Sequence, residues 1–235
     1  MKVQCILSIA LLLEAFSCTV SDNLPHVGPD PVSDSGIVFT ISYTKGDAAM
    51  STYTVSYAAW AADATENMVQ HLFVTQRVHD YSLASNSTPL SYWEENYRGQ
   101  TVTGEVDAVT GATQKNTDFT ITAEYLYPTV RTFRLYFEID HSFDGNDWFA
   151  GEQPGIIYYA DIDLDSVTTK YILQPLGWAH AYSLSAPFSI APGTMYDDMR
   201  YVTYTKSGSD FGTPYTDNTP ATHMVNTLTV TVTQS

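Results

Sequence analysis

The stretch Asp107-Ala108-Val109-Thr110-Gly111-Ala112-Thr113 gathers hydroxyls and a carboxylate around a glycine. A nucleophilic alcohol must be exposed, free of bulky neighbours and carried on backbone that can turn. Thr113 supplies the alcohol, and Ala112 leaves no bulk beside it. Gly111 permits positive φ and keeps the approach open. Asp107 can bond backbone N–H groups two or three residues on and fix the turn. The plain alternative is a β-turn with threonines around it. From average residue frequencies, these five constrained positions coincide in roughly one random chain in a thousand of this length, so the stretch outweighs a chance turn.

Other groups offer less. Asp161, Asp163 and Asp165 fall at i, i+2 and i+4, so on a strand they share a face. With Asp144, Asn146 and Asp147 they form a candidate calcium set, although the glycine and terminal glutamate of an EF-hand loop are missing. Solvated acidic strand ends and turns are the favoured account of them. The six histidines show no His-Glu-x-x-His spacing, and no Gly-x-Ser-x-Gly elbow or Cys-x-x-Cys-His haem signature occurs. Asn86-Ser87-Thr88 fits a glycosylation sequon and reads as an exposed loop.

The Asp107–Thr113 stretch resembles the acceptor motif of bacterial flavin transferases: Asp, two free positions, Ser or Thr, Gly, Ala, then Ser or Thr. The resemblance implies that Thr113 is esterified to the phosphate of flavin mononucleotide (FMN), with Asp107, Thr110, Gly111 and Ala112 as the recognition frame. It also implies a flavin transferase as partner, which draws the group from flavin adenine dinucleotide outside the cytoplasm. A wider resemblance covers about residues 50–175. It is carried by Tyr57-Ala58-Ala59-Trp60, Val69 to Val74, Tyr92-Trp93, Val106 to Thr113, Phe137 to Asp147 and Gly155 to Leu164. Over these stretches the chain resembles a family of periplasmic proteins of unknown function that carry the motif on a flagellar-hook-cap-like immunoglobulin domain. Members often follow the motif with a Pro-Gly turn, where this chain has Gln114-Lys115-Asn116. Trp93 and Tyr97, nearest the motif, are the expected aromatic partners for an isoalloxazine ring.

The elements that must position these residues are strands. The chain has 235 residues, 44% hydrophobic and 13% aromatic, enough for a core in one large domain. Period-two alternation dominates from residue 36: Phe39, Ile41 and Tyr43; Tyr53, Val55 and Tyr57; Phe133, Leu135, Phe137 and Ile139; Leu228, Val230 and Val232. In the third run, Arg134, Tyr136 and Glu138 take the other face, which the pattern assigns to water. Lys45-Gly46-Asp47, Asp144-Gly145-Asn146, Pro154-Gly155, Pro192-Gly193 and Ser207-Gly208 mark turns. Helical signals are confined to Met68–Phe73, which also reads as a strand, and one turn over Trp93–Arg98. The four tryptophans (Trp60, Trp93, Trp148 and Trp178) read mainly as core or rim packing. These patterns predict an all-β fold, an immunoglobulin-like antiparallel β-sandwich.

Ahead of that domain, Lys2 precedes an apolar run from Ile6 to Leu13, too short to span a bilayer. Ala15-Phe16-Ser17-Cys18 resembles a bacterial lipobox, departing from it at bulky Phe16 and charged Glu14. The expected organisation is therefore a signal peptide over 1–17, a lipidated Cys18 with a flexible tether over 18–35, and a domain over 36–235. Within that domain, 176–222 reads as loop-rich. Ordinary secretion with cleavage near Ser17 is the alternative. Past residue 18 the chain has no cysteine, so no disulfide can staple it. With 26 acidic residues against 10 basic ones, the chain lacks the clustered cations that a nucleic-acid groove requires.

The sequence thus points to an exported lipoprotein, periplasmic or on the cell surface and anchored by its lipid. It would be an electron carrier and a transferase substrate rather than an enzyme, exchanging electrons with redox partner proteins of the envelope. The rival reading is a cofactor-free exported binding module whose exposed tyrosines and tryptophans hold a polysaccharide or protein. A third is a calcium-stabilised sandwich.

Overall fold

A computed structural model describes residues 35–46, 55–75, 90–97, 109–111, 117–141, 154–180, 183–185, 187–201, 203–204, 219–220 and 225–235. The signal segment, Cys18, the tether, the Asn86 sequon, Trp148 and the Asp144–Asp147 loop lie outside these residues.

The strands are β1 (Ile37–Lys45), β2 (Val55–Ala62), β3 (Met68–Thr75), β4 (Val109–Gly111), β5 (Phe119–Glu124), β6 (Thr132–His141), β7 (Gly155–Asp163), β8 (Lys170–Ile172), β9 (Gln174–Ala179), β10 (Thr203–Tyr204), β11 (Thr219–Pro220) and β12 (Val225–Gln234). Among the described residues one α-helix, α1 (Ser91–Asn96), interrupts them. They form a β-sandwich. One sheet has the order β5-β1-β12-β8 and the other β4-β3-β2-β6-β7-β9, with β10 and β11 pairing apart. Pairing is antiparallel throughout except where β4 joins the edge of the second sheet parallel to β3.

The alternation read from the sequence builds the core between the sheets. Phe39, Ile41 and Tyr43 of β1 and Leu228, Val230 and Val232 of β12 are buried there. They meet Tyr57, Phe133, Leu135, Phe137 and Ile139 from the opposite sheet. Phe119 is stacked between Tyr43 and Tyr57, with ring centroids 4.7 and 4.5 Å apart. Each such side chain withdrawn from water contributes about 1.5–3 kcal/mol. The intervening residues of β1, Thr40 and Ser42, stay half-buried on the outer face. The stretch from Met68 settles as strand β3, while the helical turn near Trp93 forms as α1.

The second sheet departs from the expected wet outer face. Tyr136 and Glu138 are buried, and every residue of β2 is buried as well. The reason is a second apolar cluster on that face. Ala58, Trp60, Ala62, Tyr136 and Ile157 of the sheet pack against Leu90, Trp93 and Tyr97 of the helical segment. Small alanines at 58 and 62 let the helix approach closely. A helix of six residues is far too short to stand alone. Packing and borrowed hydrogen bonds hold it in place.

The expected loop-rich segment begins with β9 and then continues as short turns. Ala191-Pro192-Gly193-Thr194 makes a tight turn, with Thr194 N donating to Ala191 O at 3.2 Å and Gly193 at φ +66°. Asn96 Nδ2 of α1 donates to Gly193 O at 2.9 Å, which ties this turn to the helix. Trp178 is fully buried beneath the same segment, against Phe188 and Tyr196.

Candidate functional site

Three residues of the hydroxyl motif belong to the described structure. Val109, Thr110 and Gly111 form β4, in register with Phe73, Val74 and Thr75. β4 therefore ends level with the last residue of β3. That end of β3 is tied down by Thr75, whose buried Oγ1 accepts a hydrogen bond from Tyr57 N at 3.3 Å. Asp107, Ala112 and Thr113 lie outside the described residues. Sequence spacing found the motif but carried no sign that its middle would be an edge strand in a parallel pair.

Trp93 of α1 and Tyr97 at its C-cap, expected against a flavin ring, are both packed inward. Their exposures are 4% and 2%, so protein neighbours already cover both rings. Trp93 Nε1 donates to His71 Nδ1 at 3.1 Å. Burial pushes the His71 imidazolium down to about 4, so the ring is neutral and its other nitrogen carries the proton. Tyr97 Oη donates to Glu66 Oε2 at 2.9 Å, at the opposite end of the helix.

Two acidic residues organise this face, and alternation had put one of them, Glu138, on the wet side. Glu138 is fully buried and accepts from Tyr92 N at 3.1 Å and Trp93 N at 2.7 Å. These are orphan donors of the first helical turn, and Leu90 at the N-cap has no side-chain oxygen to serve them. Burial pushes the Glu138 carboxyl up to about 8, against the opposing pull of its two N–H donors. Glu66 sits in the β2–β3 turn at φ +63°. Its Oε2 accepts from both Tyr97 and Tyr136, the latter at 2.5 Å, and its Oε1 lies 3.6 Å from Arg134 Nη1. The readable signal for this arrangement was β2 itself. Its Val-Ser-Tyr-Ala-Ala-Trp-Ala-Ala run scarcely alternates, as expected for a strand covered on both sides.

The acidic run on β7 meets the protein's own cations. Arg134 Nε donates to Asp161 at 2.9 Å and Arg131 pairs with Asp165 at 2.8 Å. Asp163 Oδ1 accepts from Asp165 N at 2.9 Å. Among the described residues, no group of three His, Cys, Asp or Glu side chains is placed to hold a metal ion. Asp63, Glu66, Arg134, Asp161 and Asp163 do line an open cavity of about 370 Å³ at this end of the sheet. By the β3–β4 register, it lies at the opposite end from Gly111.

No protein-family model matches the chain, and no curated protein or solved structure is significantly similar to it.

Proposed function

We propose that the chain is an exported, membrane-tethered flavoprotein that carries FMN covalently on Thr113 through a phosphoester and passes electrons outside the cytoplasm. The single observation behind this reading is the Asp107–Thr113 motif. Its position adds support: among the described residues β4 is an edge strand, and an edge strand offers unpaired backbone groups to a modifying enzyme. Asp107, Thr110, Gly111 and Ala112 would give the flavin transferase its recognition frame, while Cys18 would carry the lipid. Once attached, the flavin takes one or two electrons, and the immunoglobulin-like sandwich sets its position and access to redox partners. With Trp93 and Tyr97 packed inward, the ring would find its contacts elsewhere.

The rival reading, a binding module, drew on exposed aromatic rings. Among the described residues, Val167 and Ile172 are the large hydrophobics left exposed, and Trp60, Trp93 and Trp178 are buried. The flavin reading is preferred because it rests on a specific motif.

The test is intact mass after co-expression of the full chain with a flavin transferase. The expected result is one added FMN that survives denaturation and is lost in Thr113→Ala. A wild-type chain with no added mass, or a Thr113→Ala chain that still gains it, would overturn the assignment.

A further inference from the structure

We propose that Tyr97, Tyr136 and Glu66 form a proton-coupled redox site, in which either phenol yields an electron to a strong one-electron oxidant while its proton passes to Glu66. Removing one electron from a phenol makes its O–H strongly acidic, so a buried tyrosine is oxidised readily only beside a base. Glu66 is that base for two rings at once. Tyr136 Oη donates to Glu66 Oε2 at 2.5 Å and Tyr97 Oη donates to the same oxygen at 2.9 Å. The shorter bond has the length of a charge-assisted O–H···O⁻ contact. Arg134 approaches the other oxygen, Oε1, at 3.6 Å and leaves Oε2 to the phenols.

The step balances. The phenolic O–H bond breaks, a new O–H bond forms on Glu66 Oε2, the electron leaves to the oxidant, and a neutral phenoxyl radical remains. Return of one electron from a reductant, with the proton moving back, restores both groups. Glu66 has a side-chain exposure of 48%, so its proton also has a route to water. Its position is fixed by the turn beneath it. Asp63 Oδ1 accepts from Thr65 N at 2.8 Å, Thr65 Oγ1 at 2.7 Å and Asn67 N at 3.0 Å.

The surroundings direct an oxidising equivalent to this pair. Trp60 is stacked on Tyr136 with centroids 5.2 Å apart and lies 5.1 Å from Tyr97. Its Nε1 is buried without an acceptor, so an oxidised Trp60 has no base to take its proton and would draw the electron from a neighbouring phenol. The hydroxyls of Tyr57 and Tyr158 likewise have no partner. Tyr125 and Tyr171 donate to backbone carbonyls, which are far weaker bases than a carboxylate. This inference holds whether or not Thr113 carries a flavin.

The experiment illuminates the purified full chain with a ruthenium polypyridyl photo-oxidant and a sacrificial acceptor, then reads tyrosyl radical yield and decay by freeze-quench electron paramagnetic resonance. The strongly acidic protein attracts the cationic oxidant. We expect Tyr97→Phe/Tyr136→Phe to remove the long-lived tyrosyl signal and Tyr125→Phe to leave it. Loss of a positioned base should cut the yield about tenfold or more in Glu66→Gln. An unchanged signal in the double variant, or a Glu66→Gln yield equal to wild type, would overturn the proposal. Circular dichroism checks that each variant is folded. If the double variant does not fold, Glu66→Gln decides alone, because that residue is half-exposed and its replacement leaves the core intact.

Discussion

Tyr57 places a phenol in the middle of the inter-sheet aromatic stack, 4.5 Å from Phe119, 5.1 Å from Phe73 and 5.6 Å from Phe137 between centroids. The ring is well used there, but its hydroxyl is buried with no partner. Burial pushes the phenol up to about 12, so it stays neutral. A buried hydroxyl without a hydrogen bond costs about 1–3 kcal/mol relative to a satisfied one. Tyr57→Phe keeps every ring contact and removes the unsatisfied oxygen. The expected outcome is a denaturation midpoint equal to or above wild type. A loss of more than about 1 kcal/mol would show that the oxygen has a bonding partner in solution. Trp93 and His71 are the opposite case, since their mutual bond satisfies both buried nitrogens.

At the scale of elements, α1 owes its existence to three things outside itself: the apolar outer face of the second sheet, the Glu138 carboxyl group and the Gly193 turn. The turn is the sharpest to test. Gly193 has φ +66°, and a Cβ there would meet Glu95 Cγ at 2.6 Å and Ser91 O at 3.0 Å. Gly193→Ala should therefore cost about 1–3 kcal/mol from the backbone alone, with the steric clash added. Denaturant unfolding checks the total, and hydrogen exchange should rise first at the amides of α1. A variant as stable as wild type would mean that the turn does not press on the helix. Pro192-Gly193 was visible in the sequence as a turn, but its partner was not. The same division runs through the fold. β1 and β12 could be read because one face is buried and the other is not, which leaves period two in the residues. Glu138 could not. Alternation put it with Arg134 and Tyr136, and only a helix from more than 40 residues earlier in the chain turns that face into an interior. The hydroxyl motif was legible as a spacing, whereas the parallel pairing of β4 with β3 depends on a distant partner that no local pattern encodes.

For the whole molecule, two buried titratable groups of the outer face, Glu138 and His71, set opposite pH limits. Glu138 is raised from 4.5 to about 8 by burial, so the folded state holds its proton more tightly than the unfolded chain. Its contribution is full below 4.5 and is lost as pH rises toward 8. His71 is lowered from 6.5 to about 4, again by burial, so the folded state resists protonation. Its contribution is full above 6.5 and is lost as pH falls toward 4. Between 4.5 and 6.5 the two slopes oppose and cancel, one proton against one. Above 6.5 only Glu138 acts, and stability falls. Melting temperature followed across pH should thus show a plateau with a decline on either side. Glu138→Gln removes the upper decline. It also loses one helix N–H acceptor, about 1 kcal/mol, and the unopposed His71 slope turns the plateau into a rise with pH between 4 and 6.5. His71→Gln removes the lower decline, and the upper one then begins at 4.5 instead of 6.5. A Glu138→Gln melting curve that still drops between pH 6.5 and 8 as wild type does would place the responsible group elsewhere in the chain.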